Sequence, residues 1–294
     1  MEIIKIENLT KYYGNYKALD NIDLSIQKGN IYGFIGPNGA GKSTTIRIIL
    51  GLLKATKGSV QVFGMDAFND SKEIHRRLAY VPAETNLWDN LTGGEVIDVL
   101  LNMSGKINEE LRDDLIKKFD LDTSKKCGTY SKGNRQKVSL IAALATDVDL
   151  YVLDEPTSGL DPLMENVFQD IILEYKRKGK TIFLSSHILS EVEKVCDHIA
   201  IIKDGNIVDS GLLSEMRHFT SSKFMIITND DIHLESIEGV HDIEIKNNEI
   251  SFLVDNSKVN EVLKHLTKYN LQYIVANPPT LEDLFLSHYE KRVD

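Results

Sequence analysis

Residues 36–43 read GPNGAGKS, and few stretches of eight residues restrict a fold as tightly. They fit the pattern G-x-x-x-x-G-K-[ST], with an apolar run before them (Ile31–Ile35) and a helical pattern after them from Thr44. A strand, a glycine loop and a helix in that order make an anion cradle. Glycines let backbone N–H groups close around phosphate oxygens, and a helix N-terminus adds a field that favours negative charge. Lys42 has the reach to meet β- and γ-phosphates, and the Ser43 hydroxyl suits a divalent cation. The chain must therefore contain an α/β layer able to hold such a loop.

The rest of the sequence fits that requirement. Short apolar runs with β-branched residues recur at 3–6, 31–35, 150–154, 181–185 and 198–202, several followed by helical patterns (44–53, 163–178, 189–195). That alternation predicts a sheet with helices packed on its faces. Between 91 and 145 the pattern is helical alone, at 94–103, 108–119 and 134–145, as expected of a helical insertion. After Met216 it changes again. Strand-like runs at 224–228, 243–245, 250–254 and 272–275 surround a helix at 259–269, with Lys246-Asn247-Asn248 as a hairpin turn. This last part holds seven Lys and Arg against thirteen Asp and Glu from His218 onward and has no catalytic constellation.

Several classes are disfavoured. No apolar run approaches the ~18–20 residues of a membrane span, and the first residues lack the apolar core of a secretory leader. A net charge of −10 argues against general nucleic-acid binding, which depends on many Lys and Arg contacts to phosphate. Two cysteines, Cys127 and Cys196, far apart and without ligand spacing, suit a reduced cytosolic setting.

A second chemical signal is LYVLDEP, 150–156. Four apolar residues form a buried strand, and Asp154 and Glu155 emerge at its C-terminal end, where open α/β sheets bind ligands. One carboxylate there can hold a hydrated cation while the other orients and deprotonates water for attack on a γ-phosphate.

With YSKGNRQK (130–137), SGLD (158–161), SSH (185–187) and LTKYYGNYKAL around Tyr13, the order of motifs over residues 1 to about 215 resembles the ATP-binding cassette (ABC) ATPases. The likeness is to bacterial exporter ATPases that serve a separate membrane subunit. It implies an α/β P-loop NTPase core with an antiparallel β subdomain and a helical insertion (1–217, helical subdomain about 85–145). A small C-terminal α+β accessory domain (218–294) would follow, with PPTLEDLFL (278–286) resembling the closing segment of such exporters.

The resemblance also implies roles. Tyr13 would stack on adenine, and Asn38, Gly39, Gly41, Lys42, Ser43 and Thr44 would hold the phosphates of ATP. Ser43 and Asp154 would hold Mg²⁺, Glu155 would be the general base, and His187 would contact the γ-phosphate. Two such domains, this chain with itself or with a paralogous ATPase, would meet head to tail. Ser131 and Gly133 would then touch the partner's γ-phosphate, and Asp161 would cross the interface. The expected partner is a polytopic permease rather than nucleic acid, and the expected location is the cytoplasm, peripheral on the cell membrane through that permease.

The sequence departs from the family pattern in two places. Lys132 and Asn134 stand where glycine and glutamine are commonest, although Ser131 and Gly133 remain; Lys132 would add positive charge near the partner's nucleotide. In YVPAETNLWDN (80–90), Ala83 stands where the family has a glutamine that reaches metal and water. Three readings stay open: the Glu84 carboxylate swings in, water fills the gap, or the site is degenerate. Trp88 and Leu87 nearby read equally as buried core or as an anchor for a membrane subunit. Acting on DNA or ribosomes would call for coiled-coil heptads, a second cassette or basic arms, and none is visible. A small-molecule kinase would have no need of YSKGNRQK or SGLD.

Overall fold

The computed structural model describes residues 1–105, 108–218, 221–278 and 280–282. It divides the chain into two compact units, Met1–Ser210 and Gly211–Asp294.

The first unit opens with β1 (Glu2–Tyr13), β2 (Tyr16–Gln27), β3 (Ile31–Ile35) and α1 (Lys42–Ile49). Next come β4 (Lys57–Val62), β5 (Met65–Asp66), α2 (Ser71–His75) and β6 (Leu78–Val81). The helices α3 (Gly93–Ser104), α4 (Glu109–Lys118) and α5 (Lys132–Leu144) follow without an intervening strand. The unit is completed by β7 (Leu150–Asp154), α6 (Pro162–Arg177), β8 (Thr181–Ser186), α7 (Leu189–Val195) and β9 (His198–Lys203), and β10 (Asn206–Leu212) carries the chain past its boundary.

Two sheets result. The first is antiparallel, in the order β2-β1-β4-β5. The second has the order β10-β9-β3-β8-β7-β6, and β6, β7, β8, β3 and β9 run parallel. Their sequences explain the difference. β3, β7 and β8 are buried along their whole length, as parallel strands covered on both faces must be. β2 instead alternates, with Ile22, Leu24 and Ile26 inward and Asn21, Asp23 and Ser25 outward. Those inward residues join Ile4, Ile6, Ile46, Ile49, Phe34 and Phe183 in one core between the sheets and α1.

The predicted helix at 44–53 is displaced toward its start. Lys42 and Ser43 belong to α1, which ends at Ile49, and the chain turns at Gly51 in a left-handed conformation (φ 67°). The helical insertion begins at Thr92, whose side chain accepts from Glu95 N–H while the Glu95 carboxylate accepts from Thr92 N–H.

The second unit begins with α8 (Leu213–His218), then β11 (Ser222–Thr228), β12 (Val240–Lys246), β13 (Glu249–Val254), α9 (Val259–Leu266) and β14 (Leu271–Asn277). Its antiparallel sheet has the order β12-β13-β11-β14. The expected hairpin turn is present between Lys246 and Glu249, with Asn247 in the left-handed region (φ 56°). The core is Phe224, Ile226, Phe252, Val254, Val262 and Leu266, the two phenyl rings lying 5.6 Å apart. Most of the 278–286 segment lies outside the described residues. No helix among the described residues is long and apolar enough to cross a membrane.

Candidate functional site

Parallel strands deliver their C-terminal ends to one edge, and the residues singled out in the sequence gather there. β3 leads into the glycine loop. β8 lies between β3 and β7, pairing Ile35 with Ser186 and Asp154 with Ser185. β6 beside β7 ends at Val81, just before Ala83 and Glu84.

A cleft of about 500 Å³ opens at this edge. Its lining includes Tyr13, Asn38, Gly39, Gly41, Lys42, Ser43, Thr44, Ala83, Glu84 and Glu155. The loop can close only with glycine at Gly41, which has φ 114° and starts α1. A Cβ there would lie 2.6 Å from Leu19 Cδ2. No side chain caps α1 and its first turn holds no acid, so no carboxylate of its own first turn opposes its N-terminal field at the cleft.

Lys42 is 6% exposed, and its Nζ donates to the carbonyls of Gly36 (2.7 Å) and Pro37 (3.3 Å). The same ammonium lies 3.2 Å from Glu155 Oε1. The other oxygen of Glu155 meets His187 Nδ1. Glu155 has φ 50°, a conformation that L-residues with side chains rarely adopt. Ser185 holds it there: Glu155 N–H donates to Ser185 O (3.2 Å) and Ser185 Oγ (3.1 Å). The Ser185 hydroxyl in turn donates to Asp154 Oδ1 at 2.5 Å, and Asp154 is buried beneath the cleft. One serine thus positions both carboxylates.

Other predicted residues lie outside the cleft lining and have contacts within the chain. Ser131 caps α5 by accepting from Asn134 N–H, and Asp161 caps α6 by accepting from Met164 N–H (3.0 Å), ahead of Pro162. Gly133 lies against the SGLD turn, where a Cβ would come within 2.4 Å of Gly159 O. Lys132, expected near a partner's nucleotide, lines this chain's own cleft and donates to Ser158 Oγ at 2.8 Å. Glu84 is exposed on the cleft wall. Trp88 is 50% exposed, which excludes the buried-core reading.

Sequence reading missed Tyr16, Ala18, Pro37 and Ser158 in the lining. Tyr16 had a signal: YYGNY is a tight β1–β2 turn that pairs Tyr13 with Tyr16, so both rings reach the cleft mouth. It also missed Glu191. Its carboxylate accepts from Thr157 Oγ1 (2.6 Å), next to the SGLD segment, and among the described residues Oε1 has no hydrogen-bond partner. Burial raises its pKa above the ordinary carboxylate value, and the Thr157 hydrogen bond offsets this in part.

The family model described as "ABC transporter" matches residues 19–158, and one described as "ATP-binding protein DrrA1-3-like, C-terminal domain" matches 211–289. The chain is 33% identical to the bacitracin transport ATP-binding protein BcrA of Bacillus licheniformis, over 97% of this chain and 96% of that protein. It is 36% identical to the ABC transporter ATP-binding protein NatA of Bacillus subtilis, over 68% and 84%. Among solved structures, the ATP-binding subunit of an ABC transporter matches with TM-score 0.67 and 31% identity, over 73% of this chain and 92% of that one. A dimeric ATP-binding cassette in a post-hydrolysis state with ADP and Pi matches with TM-score 0.65 and 27% identity, over 71% and 98%.

The raised Glu191 pKa has a sign that can be tested. A carboxyl whose folded pKa exceeds its unfolded one contributes stability below the unfolded pKa and loses it as pH rises through the folded value. Glu191→Gln removes that loss. The variant is therefore expected to melt above the wild type at pH 7, with the difference shrinking as pH falls toward about 4. Thermal unfolding across pH checks this; a lower melting temperature at pH 7 contradicts it.

Proposed function

Because the chain belongs to the ATP-binding proteins of the ABC transporter family, we propose that the 500 Å³ cleft is where it binds and hydrolyses ATP with Mg²⁺, on behalf of a separate membrane permease. The observation carrying this is the convergence of Lys42, Glu155 and the N-terminus of α1 on one cleft at the C-terminal edge of the parallel sheet. Tyr13 and Tyr16 at the mouth offer flat faces to adenine, and Asn38, Gly39, Gly41, Ser43 and Thr44 present polar and backbone groups to phosphates.

The donors suit Mg²⁺, which prefers oxygen and is bound by one or two side chains together with substrate phosphates. Ser43 and Glu84 line the cleft, and the buried Asp154 stands outside its lining, next in sequence to Glu155, which lines it. Held by these residues, the ion would supply positive charge against the charge that develops in phosphoryl transfer. Lys42 binds the terminal phosphates. A phosphate there competes with Glu155 for the ammonium and leaves Glu155 to His187 and to water. Glu155 orients and deprotonates that water for in-line attack, and His187 steadies the carboxylate and meets the γ-phosphate. Glu84 serves in place of the absent glutamine, as an acceptor for water and a ligand for the metal shell.

The head-to-tail dimer of the reading places Ser131 and Gly133 of one subunit over the ATP of the other, with Asp161 at the interface. The likeness to a dimeric cassette supports this arrangement. Trp88, exposed in the loop after Glu84, and Met103, 77% exposed on α3, supply apolar surface for the permease. Export is the proposed direction, on the exporter-like closing segment and the likeness to a bacitracin transport protein.

Two variants test the reading. Glu155→Gln is expected to retain ATP binding, to lose hydrolysis by at least ~100-fold, and to double in mass on light scattering when ATP and Mg²⁺ are added. A monomer at saturating ATP contradicts the sandwich. Glu84→Ala is expected to lower kcat by about tenfold, near 1.4 kcal/mol in the barrier, with little change in ATP affinity. Unchanged ATPase and transport rates remove Glu84 from the mechanism.

A further inference from the structure

YSKGNRQK contains a glutamine to which neither the phosphate chemistry nor the dimer gives a role. Gln136 stands in the first turns of α5 and is 2% exposed. A buried primary amide must satisfy both its acceptor and its donor or destabilise the fold. Here both are satisfied, and by two different segments. Thr85 Oγ1 donates to Gln136 Oε1 at 2.8 Å, and Gln136 Nε2 donates to the carbonyl of Pro156 at 2.9 Å. Thr85 directly follows Glu84, and Pro156 directly follows Glu155. The amide therefore stands one residue away from each of two carboxylates on the cleft wall.

The adjacent residue strengthens the link. Arg135 pairs with Asp89, its Nη2 lying 3.0 Å from Oδ1. Consecutive residues of α5 thus fasten the 85–89 loop at both ends, and Trp88, half exposed, lies between the two fastenings. Displacing this loop displaces α5, and through Gln136 it pulls on the turn that sets where Glu155 stands. That turn is already held in a rarely populated backbone conformation at Glu155, so a change of anchor alters the aim of its carboxylate.

We propose that Gln136 is a positioning residue for ATP hydrolysis: its side-chain amide ties the loop bearing Glu84 and Trp88 to the turn bearing Glu155. It touches no phosphate and acts through its two neighbours. The inference rests on the ATPase reading above. Only an amide fits the place. A glutamate keeps the acceptor for Thr85 but sets a carboxylate against the Pro156 carbonyl, and a leucine of similar volume satisfies neither partner.

The test uses the purified full-length protein with Mg-ATP. It compares wild type, Thr85→Val, Gln136→Glu, Gln136→Leu and the double variant Thr85→Val/Gln136→Leu, and measures kcat, ATP dissociation constant and melting temperature. Each single variant is expected to lose about tenfold or more in kcat, with ATP affinity within about threefold because the glycine loop and Lys42 are untouched. The double variant is expected to be no slower than Gln136→Leu alone, since both changes cut one link. Thr85→Val at wild-type kcat, or losses that multiply in the double variant, overturn the proposal. So do variants that melt lower yet keep wild-type kcat, the outcome of a purely structural hydrogen bond. If Gln136→Leu does not fold, Thr85→Val decides alone, because it removes a single hydroxyl from a half-buried residue. A wild-type protein that hydrolyses no ATP overturns the ATPase reading and this inference with it.

Discussion

The site is built around one ammonium and one carboxylate: Lys42 Nζ lies 3.2 Å from Glu155 Oε1. The two are 113 residues apart in sequence, and only the parallel sheet brings them together. Lys42 follows β3, Glu155 directly follows β7, and β8 lies between and supplies Ser185 and, just past its end, His187. Each strand must run in the same direction for the loops to meet on one edge, and each must be largely apolar to be covered on both faces. The electrostatics of the cleft are therefore a consequence of topology. The Lys42 ammonium is held by two backbone carbonyls and a carboxylate, and in the proposed mechanism phosphate oxygens take the place of that carboxylate and free Glu155 to act on water.

The parts of the fold legible in the sequence were those with one strong local signal. Largely apolar runs at 31–35, 150–154 and 181–185 marked the parallel strands, and the glycine loop fixed which strand end carries the site. β2 was legible but overlooked, since NIDLSIQ alternates strictly and its inward residues enter the core. β6 was harder: LAYV is four residues long and takes its strand character from pairing with β7. β4, whose first three residues are exposed, offers only two buried valines to a pattern search.

In the site the division is similar. The residues proposed to do chemistry are marked by their motifs, whereas the positioning contacts that other residues make are not legible from the motifs that hold them. Ser185 was read as part of a motif ending in His187, yet its hydroxyl and carbonyl hold Asp154 and Glu155 in place. Gly133 was read through a partner's phosphate, and the structure adds a steric reason within the chain, the close approach to Gly159 O. Glu191 and Gln136 are pairings between segments that sequence spacing does not disclose. The unusual Ala83-Glu84 pair stands on the cleft wall, while the loop after it is fastened to α5 and presents Trp88 outward. That arrangement suits a segment that reports to the site what happens at its outer surface.

In the proposed mechanism Lys42 gives up Glu155 to a terminal phosphate. The most direct measurement is a crystal structure of Glu155→Gln with Mg-ATP, beside one of the wild-type protein with a non-hydrolysable analogue. The Lys42 ammonium is expected within hydrogen-bond distance of β- and γ-phosphate oxygens, and the wild-type Glu155 carboxylate turned toward a water in line with the γ-phosphorus. A nucleotide bound elsewhere, or bound in the cleft with the Lys42–Glu155 contact intact, would contradict it.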